Sequence, residues 1–285
     1  MRGMARTGMI GAGMVGALLL AAGAAAAGET ALVLEGGIAA TLNLPDGVPA
    51  APAVLMLHGF GSSRDEVGGM YAREAAALAA KGVASLRIDF HGFGQSDGDT
   101  GATTVPGQLA DAEAALAALA ATPGVDGQRI GVLGFSLGGG VAMLLASGHP
   151  DAVKALATWS SVGDFHADFL EELGQPAFDR AAADGIVGLD LGWRTIALKA
   201  SFFDTLQHHD LMAALVSYPG PYLSVTGEKD FAATYAPGFL AAAANPMKEA
   251  VIVPGGDHIY GVLSEDQSMA EGVIAKTAVW LAGAL

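Results

Sequence analysis

The chain contains no cysteine. That excludes disulfides, thiolate metal sites, a cysteine nucleophile and a lipidated-cysteine anchor. Charge is also scarce: 15% of residues are charged, and 14 Lys and Arg against 29 Asp and Glu leave a formal net charge of -15. No Lys- or Arg-rich patch exists to meet a phosphate backbone, which argues against a nucleic-acid partner. The acidity favours solubility and repels anionic surfaces, and the few lysines would also suit a saline habitat. Apolar residues make up 52% of the sequence, far too many for a disordered chain. The 285 residues suffice for one large α/β domain or two small ones.

One apolar run stands apart. Arg2 and Arg6 precede a glycine-broken apolar stretch over residues 9–22, and Ala25 and Ala27 follow with the spacing of an A-x-A cleavage site. This pattern predicts a secretory signal peptide over residues 1–27, cut near Ala27. The alternative is a retained membrane anchor, for which the run is short. The expected mature domain is residues 28–285, secreted or periplasmic, with no stable membrane span.

Beyond this segment strands and helices alternate. ETALVLEG and IAATLNLP read as two strands joined at Gly36-Gly37. Further strands are expected over 51–57, 83–90, 129–135, 153–159, 222–226 and 250–253. Helices are expected over 66–80, 108–121, 137–147 and 264–284. Such alternation predicts a mainly parallel sheet covered by helices on both faces. Residues 160–219 are too many for an ordinary loop. They carry Phe165, Phe169, Leu170, Phe178, Trp193, Phe202 and Phe203, with helical spacing over 165–173 and 193–207. They read as a cap lying over the carboxyl ends of the strands, and otherwise as a helical excursion at the sheet edge.

IGVLGFSLGGG, residues 130–140, sets Ser136 between an apolar strand and a glycine-rich helix start. Gly134-Phe135-Ser136-Leu137-Gly138 fits G-x-S-x-G, a strained strand-to-helix turn that holds a hydroxyl clear of the backbone. A serine in this position is otherwise an ordinary N-cap. The Leu137 N–H would point into the same space and could stabilise an oxyanion. A serine needs a base to act as nucleophile. His258, in VIVPGGDHIYG, follows the last strand. The base in turn needs a carboxylate. Asp230, in YLSVTGEKDFAA, follows the strand before it and is preferred to Glu228 of the same loop and to Asp257 beside the histidine. Each of the three lies beyond the carboxyl end of a strand, where open parallel sheets place their sites. In LMLHGFGSS, the Phe60 N–H is the candidate second oxyanion donor. His149 reads as structural. His208, His209 and Asp210 are weak metal ligands at adjacent positions, so neither a metal nor an organic cofactor is expected.

HGFGSS, DFHGFGQSDG, GFSLGG, GEKD and GGDH, in that order, resemble the motif series of the α/β-hydrolase superfamily over nearly the whole mature chain. Within it the chain looks most like bacterial cinnamoyl and feruloyl esterases and monoacylglycerol-lipase-like hydrolases. The resemblance implies an α/β-hydrolase fold with a cap after the sixth strand, a Ser136–Asp230–His258 triad, and an oxyanion hole from the N–H groups of Phe60 and Leu137. His91 stands where arginine is common in the family's D-x-R-G-x-G-x-S loop, which is structural. The implied activity is hydrolysis of carboxylic esters with an apolar acyl or aryl group, through an acyl-enzyme. Lipase-like or lysophospholipase-like and aminopeptidase-like hydrolysis are the alternatives, Asp164, Asp168, Glu171 and Glu172 being possible ligands for a substrate amine. A non-catalytic binding protein of the same fold ranks last.

Overall fold

The computed structural model describes residues 28–285. The expected signal peptide lies outside the described residues.

Two strands, β1 (Gly28–Leu34) and β2 (Ile38–Leu44), form the opening hairpin. Next come β3 (Ala51–Leu57), α1 (Met70–Ala79), β4 (Ala84–Ile88), α2 (Val105–Ala120), β5 (Val125–Phe135), α3 (Leu137–Gly148) and β6 (Val153–Trp159). After the insertion come α7 (Leu211–Ser217), β9 (Tyr222–Gly227), α8 (Ala236–Ala242), β10 (Lys248–Val253) and α9 (Ser268–Ala284). Eight strands make one sheet in the order β1-β2-β4-β3-β5-β6-β9-β10. β2 runs antiparallel to β1 and β4, and every pairing from β4 to β10 is parallel. The central strands are mainly apolar, as burial on both faces favours: β3, β4 and β6 expose almost nothing, and β9 is wholly buried. One face packs on α2 and α3 through Leu55, Val132, Val141 and Leu145. The other packs on α1 and α9 through Val54, Leu133, Leu78 and Ile274. Among the described residues, no helix is long and apolar enough to cross a membrane.

The sheet strands and most flanking helices fall where the sequence places them. α1 starts at Met70 instead of residue 66, because Gly68 and Gly69 adopt left-handed φ of 60° and 68° just before it. α9 starts at Ser268 instead of residue 264, after a run of turns.

The insertion departs further. Residues 165–173 are α4 (Phe165–Leu173), as expected, followed by α5 (Gln175–Asp184). A helix over 193–207 does not form. Instead β7 (Ile186–Asp190) and β8 (Thr195–Lys199) make a separate antiparallel hairpin, and only α6 (Ala200–Thr205) is α-helical. The reason is a period of two: Val187, Ile196 and Leu198 point inward while Thr195, Ala197 and Lys199 face solvent. α7, counted with the insertion on sequence, packs against α3 and α8 beside the sheet. The part that covers the strand ends is thus α4 to α6 with the hairpin.

Candidate active site

β5 ends at Phe135 and α3 begins at Leu137, leaving one residue for the turn. Ser136 takes φ 54°, ψ -119°, a left-handed φ that costs a non-glycine residue about 1–3 kcal/mol. Its N–H donates to Trp159 O (2.9 Å), and its carbonyl accepts from Gly139 N–H and Val162 N–H. The flanking glycines answer to close backbone approach. A Cβ at Gly134 would collide with the Gly138 carbonyl, and one at Gly138 with the carbonyls of Leu57 and His58. The hydroxyl is thereby left half-exposed above the helix start.

Two loops bring groups to it. The loop after β10 carries His258, whose Nε2 lies 3.2 Å from Ser136 Oγ. The loop after β9 carries Asp230, whose Oδ1 lies 2.9 Å from His258 Nδ1. The Asp230 carboxyl is buried and also accepts from Ala232 N–H. The competing acids face elsewhere. Glu228 accepts from Gly255 N–H (2.7 Å), and Asp257 accepts from Ile259 and Gly261 N–H within its own turn. The imidazole sits between two rings: Phe231 stacks on it at 5.3 Å and Phe135 lies tilted at 5.0 Å.

The loop after β3 completes the surroundings. His58 is fully buried, and burial lowers its pKa to about 4. It is therefore a neutral imidazole, with Nδ1 donating to Gly59 O (2.7 Å) and Nε2 accepting from Phe90 N–H (3.1 Å). Phe60 follows. Its ring meets Phe169 edge-on at 5.0 Å and stacks on Phe202 at 5.5 Å, so the cap grips this loop through aromatic contacts. Arg194, in the turn between β7 and β8, donates to Gly61 O. Among the described residues, neither the Phe60 nor the Leu137 N–H donates to a protein acceptor. For Leu137 this follows from its place in the first turn of α3.

One residue here escaped the sequence reading. Glu66 is buried (8% exposed) and lines the same cavity as Ser136 and His258. Its Oε1 accepts from Gly59 N–H; its Oε2 accepts from Ser62 O–H (2.8 Å) and Val67 N–H (3.0 Å). Burial pushes its carboxyl upward and these three donors pull it back. In the sequence it looks like one more charge in the polar run S-S-R-D-E, at the start of an exposed helix turn.

Of the other residues singled out from sequence, His149, His209, Asp164 and Asp210 lie away from the cavity lining, whereas Asp168 is part of it. His149 pairs with Glu113, and His209 packs edge-on against Phe165. Asp164 caps α4 and Asp210 caps α7. Asp168 accepts from Tyr235 O–H (2.6 Å) and the N–H groups of Gly163 and Asp164.

The cavity in front of Ser136 encloses about 570 Å³, within the range of small-molecule sites. Phe60, Phe135, Phe169, Trp193, Phe231 and Leu263 give it an apolar wall, and Glu171 and Glu172 of α4 stand at its border. Among the described residues, no Lys or Arg lines it.

The sheet order, the strained serine turn and the loop-borne acid and histidine are arranged as in the α/β-hydrolase fold. The model of the family described as serine aminopeptidase, S33, matches residues 49–186. Among curated proteins, an uncharacterized 31.7 kDa protein of Escherichia coli is 31% identical over 131 residues, 46% of this chain and 44% of that protein. The match thus spans under half the length of that relative. The pimeloyl-[acyl-carrier protein] methyl ester esterase of Chromobacterium violaceum is 42% identical over 106 residues, 37% of this chain and 35% of the esterase. Among solved structures, Est1E of Butyrivibrio proteoclasticus with ferulic acid bound superposes with a TM-score of 0.71 at 24% identity, over 88% of this chain and 98% of that one.

Proposed function

We propose that the protein is a serine hydrolase of carboxylic esters. The observation that carries this reading is the hydrogen-bonded series Ser136 Oγ–His258 Nε2 (3.2 Å) and His258 Nδ1–Asp230 Oδ1 (2.9 Å) at the wall of an apolar cavity. In the reaction His258 takes the Ser136 proton as the oxygen attacks the ester carbonyl. Asp230 holds the imidazole in the tautomer with its proton on Nδ1 and stabilises the imidazolium. The N–H groups of Phe60 and Leu137 receive the negative charge that develops on the carbonyl oxygen. His258 then protonates the departing alcohol, leaving an acyl-serine. A water molecule deprotonated by His258 releases the acid and restores the serine.

The aromatic wall supports an aryl or short apolar acyl group, of which a feruloyl or cinnamoyl ester is the leading example. The absence of cationic residues from the cavity wall argues against densely anionic substrates. A second reading, hydrolysis at an amino-terminal residue, is favoured by Glu171 and Glu172 at the cavity border. Their carboxylates could meet a substrate ammonium, whereas Asp164 and Asp168 are already engaged by backbone donors. Export of the mature domain is part of the proposal. It rests on the amino-terminal sequence, and amino-terminal sequencing of the exported protein should begin at Gly28.

The test is hydrolysis of p-nitrophenyl esters of increasing acyl length, methyl ferulate, a long-chain glyceride and an aminoacyl p-nitroanilide, by the wild type and by Ser136→Ala. Ester turnover that falls by about 10⁴-fold or more in the variant is the expected result. Turnover of the anilide alone would replace the esterase reading with the peptidase one, and no turnover of any substrate would sink both.

A further inference from the structure

The loop between β3 and α1 carries a proposed oxyanion donor, yet residues 58–66 have no regular secondary structure to hold it. What fixes it is a set of bonds around one peptide unit. In a planar trans peptide the carbonyl and the following N–H point in opposite directions. Gly59 O and Phe60 N–H belong to one such unit. Gly59 O is drawn inward, accepting from His58 Nδ1 (2.7 Å) and from Ser62 N–H (3.3 Å). Phe60 N–H therefore faces the other way and finds no protein acceptor among the described residues. The ends of this turn are tied by Glu66. One carboxylate oxygen accepts from Gly59 N–H, at the start, and the other from the Ser62 hydroxyl, at the end.

Glu66 adopts φ 59°, ψ 172°, a conformation otherwise left to glycine. Glycine there would relieve the backbone but remove the carboxylate. Three donors converge on it, and an acceptor with no proton of its own suits them all. The charge is buried in the wall of the reaction cavity, where an unneeded carboxylate would cost desolvation for no return.

We propose that Glu66 is a positioning residue of the oxyanion site: its carboxylate clamps residues 59–62 so that the Phe60 N–H is aimed, before substrate arrives, at the point the Leu137 N–H also reaches. This deepens the serine-esterase reading and rests on it. Glutamine at 66 keeps the shape and one good acceptor but turns an amide donor toward Val67 N–H or the Ser62 hydroxyl. The clamp then slackens while the cavity wall stays in place.

The experiment compares wild type, Glu66→Gln and Ser62→Ala with a neutral p-nitrophenyl ester and two inhibitors. One is an aryl trifluoromethyl ketone, which adds to the serine and forms an oxyanion. The other is the corresponding unreactive amide, which only fills the cavity. In Glu66→Gln kcat should fall about 10- to 100-fold, below the full loss of one oxyanion donor, with KM within about threefold. Affinity for the ketone should fall in parallel and affinity for the amide should hold. Ser62→Ala should show the same pattern, smaller. Unchanged kcat overturns the proposal, as does an equal weakening of ketone and amide, which marks a merely structural role. If Glu66→Gln does not fold, Ser62→Ala decides by the same criteria. Labelling of Ser136 by a fluorophosphonate separates the two readings. A wild type that is labelled and turns over ester, with variants that match it, defeats only the Glu66 assignment. A wild type that is not labelled defeats both.

Discussion

His91 shows how a single side chain can tie the loop beneath the site to the sheet edge. Its Nδ1 meets the Asp111 carboxylate at 2.6 Å and its Nε2 meets Gly36 O at 2.7 Å. Both partners are acceptors, so both ring nitrogens are best served by carrying protons, and the Gly36 carbonyl and then Asp111 raise its pKa. A group whose pKa is raised on folding contributes stability that is fully present below its unfolded pKa, about 6.5, and is lost as pH rises through the folded value. The thermal midpoint of the wild type should accordingly decline as pH rises above about 6.5, and His91→Arg, which cannot lose its charge, should flatten that decline. Identical pH profiles for the two proteins would show that the contact is too solvent-exposed to matter. At this scale the sequence is informative where chemistry demands a residue type in a fixed place. Ser136, Asp230 and His258 each follow an apolar strand, and the structure brings those three side chains together. Glu66 was not legible, because its significance lies in three donors that converge only after the 58–67 segment has folded back on itself.

Among the elements, α6 links cap and site. Phe202 is fully buried, stacks on Phe60, and meets Phe169 and Phe203 edge-on at 5.1 and 5.4 Å. Removing its ring leaves a cavity between the cap and the loop that carries Phe60. Phe202→Ala should lower unfolding stability by about 3–5 kcal/mol and reduce ester turnover through a loosened Phe60. Chemical denaturation read beside steady-state kinetics checks both, and a stable variant with native kcat would show that the cap and the loop are uncoupled. The sheet strands were legible because burial on two faces forces runs of Val, Leu, Ile and Ala that little else produces. The β7–β8 hairpin was not, because its alternation spans only five residues per strand and is flanked by helix-forming residues. α8 begins with a proline in its first turn, Pro237. That start signal is easily passed over in an alanine-rich stretch.

For the molecule as a whole, the formal charge of -15 and the pair Glu171 and Glu172 bordering the cavity set up a negative field at the entrance. Neutral esters do not feel it, and anionic ones do. Raising salt from about 0.01 M to about 1 M shrinks the Debye length from about 30 Å to about 3 Å. The kcat/KM for a carboxylated nitrophenyl ester should then rise while that for its neutral counterpart stays level. The double variant Glu171→Gln, Glu172→Gln should narrow the gap at low salt, and parallel salt responses of the two esters would rule the field out. The spacing of the site along the chain has a temporal consequence. Ser136 and the histidine it meets are 122 residues apart, and the loops after β9 and β10 belong to the last strands at one side of the sheet. A growing chain can form the serine turn on β5 and α3 long before β9 and β10 are synthesised. Under the proposed mechanism the hydroxyl lacks its base until those strands dock, so the nascent polypeptide leaves the esters around it intact. On that mechanism, catalytic competence waits for the sheet to be complete.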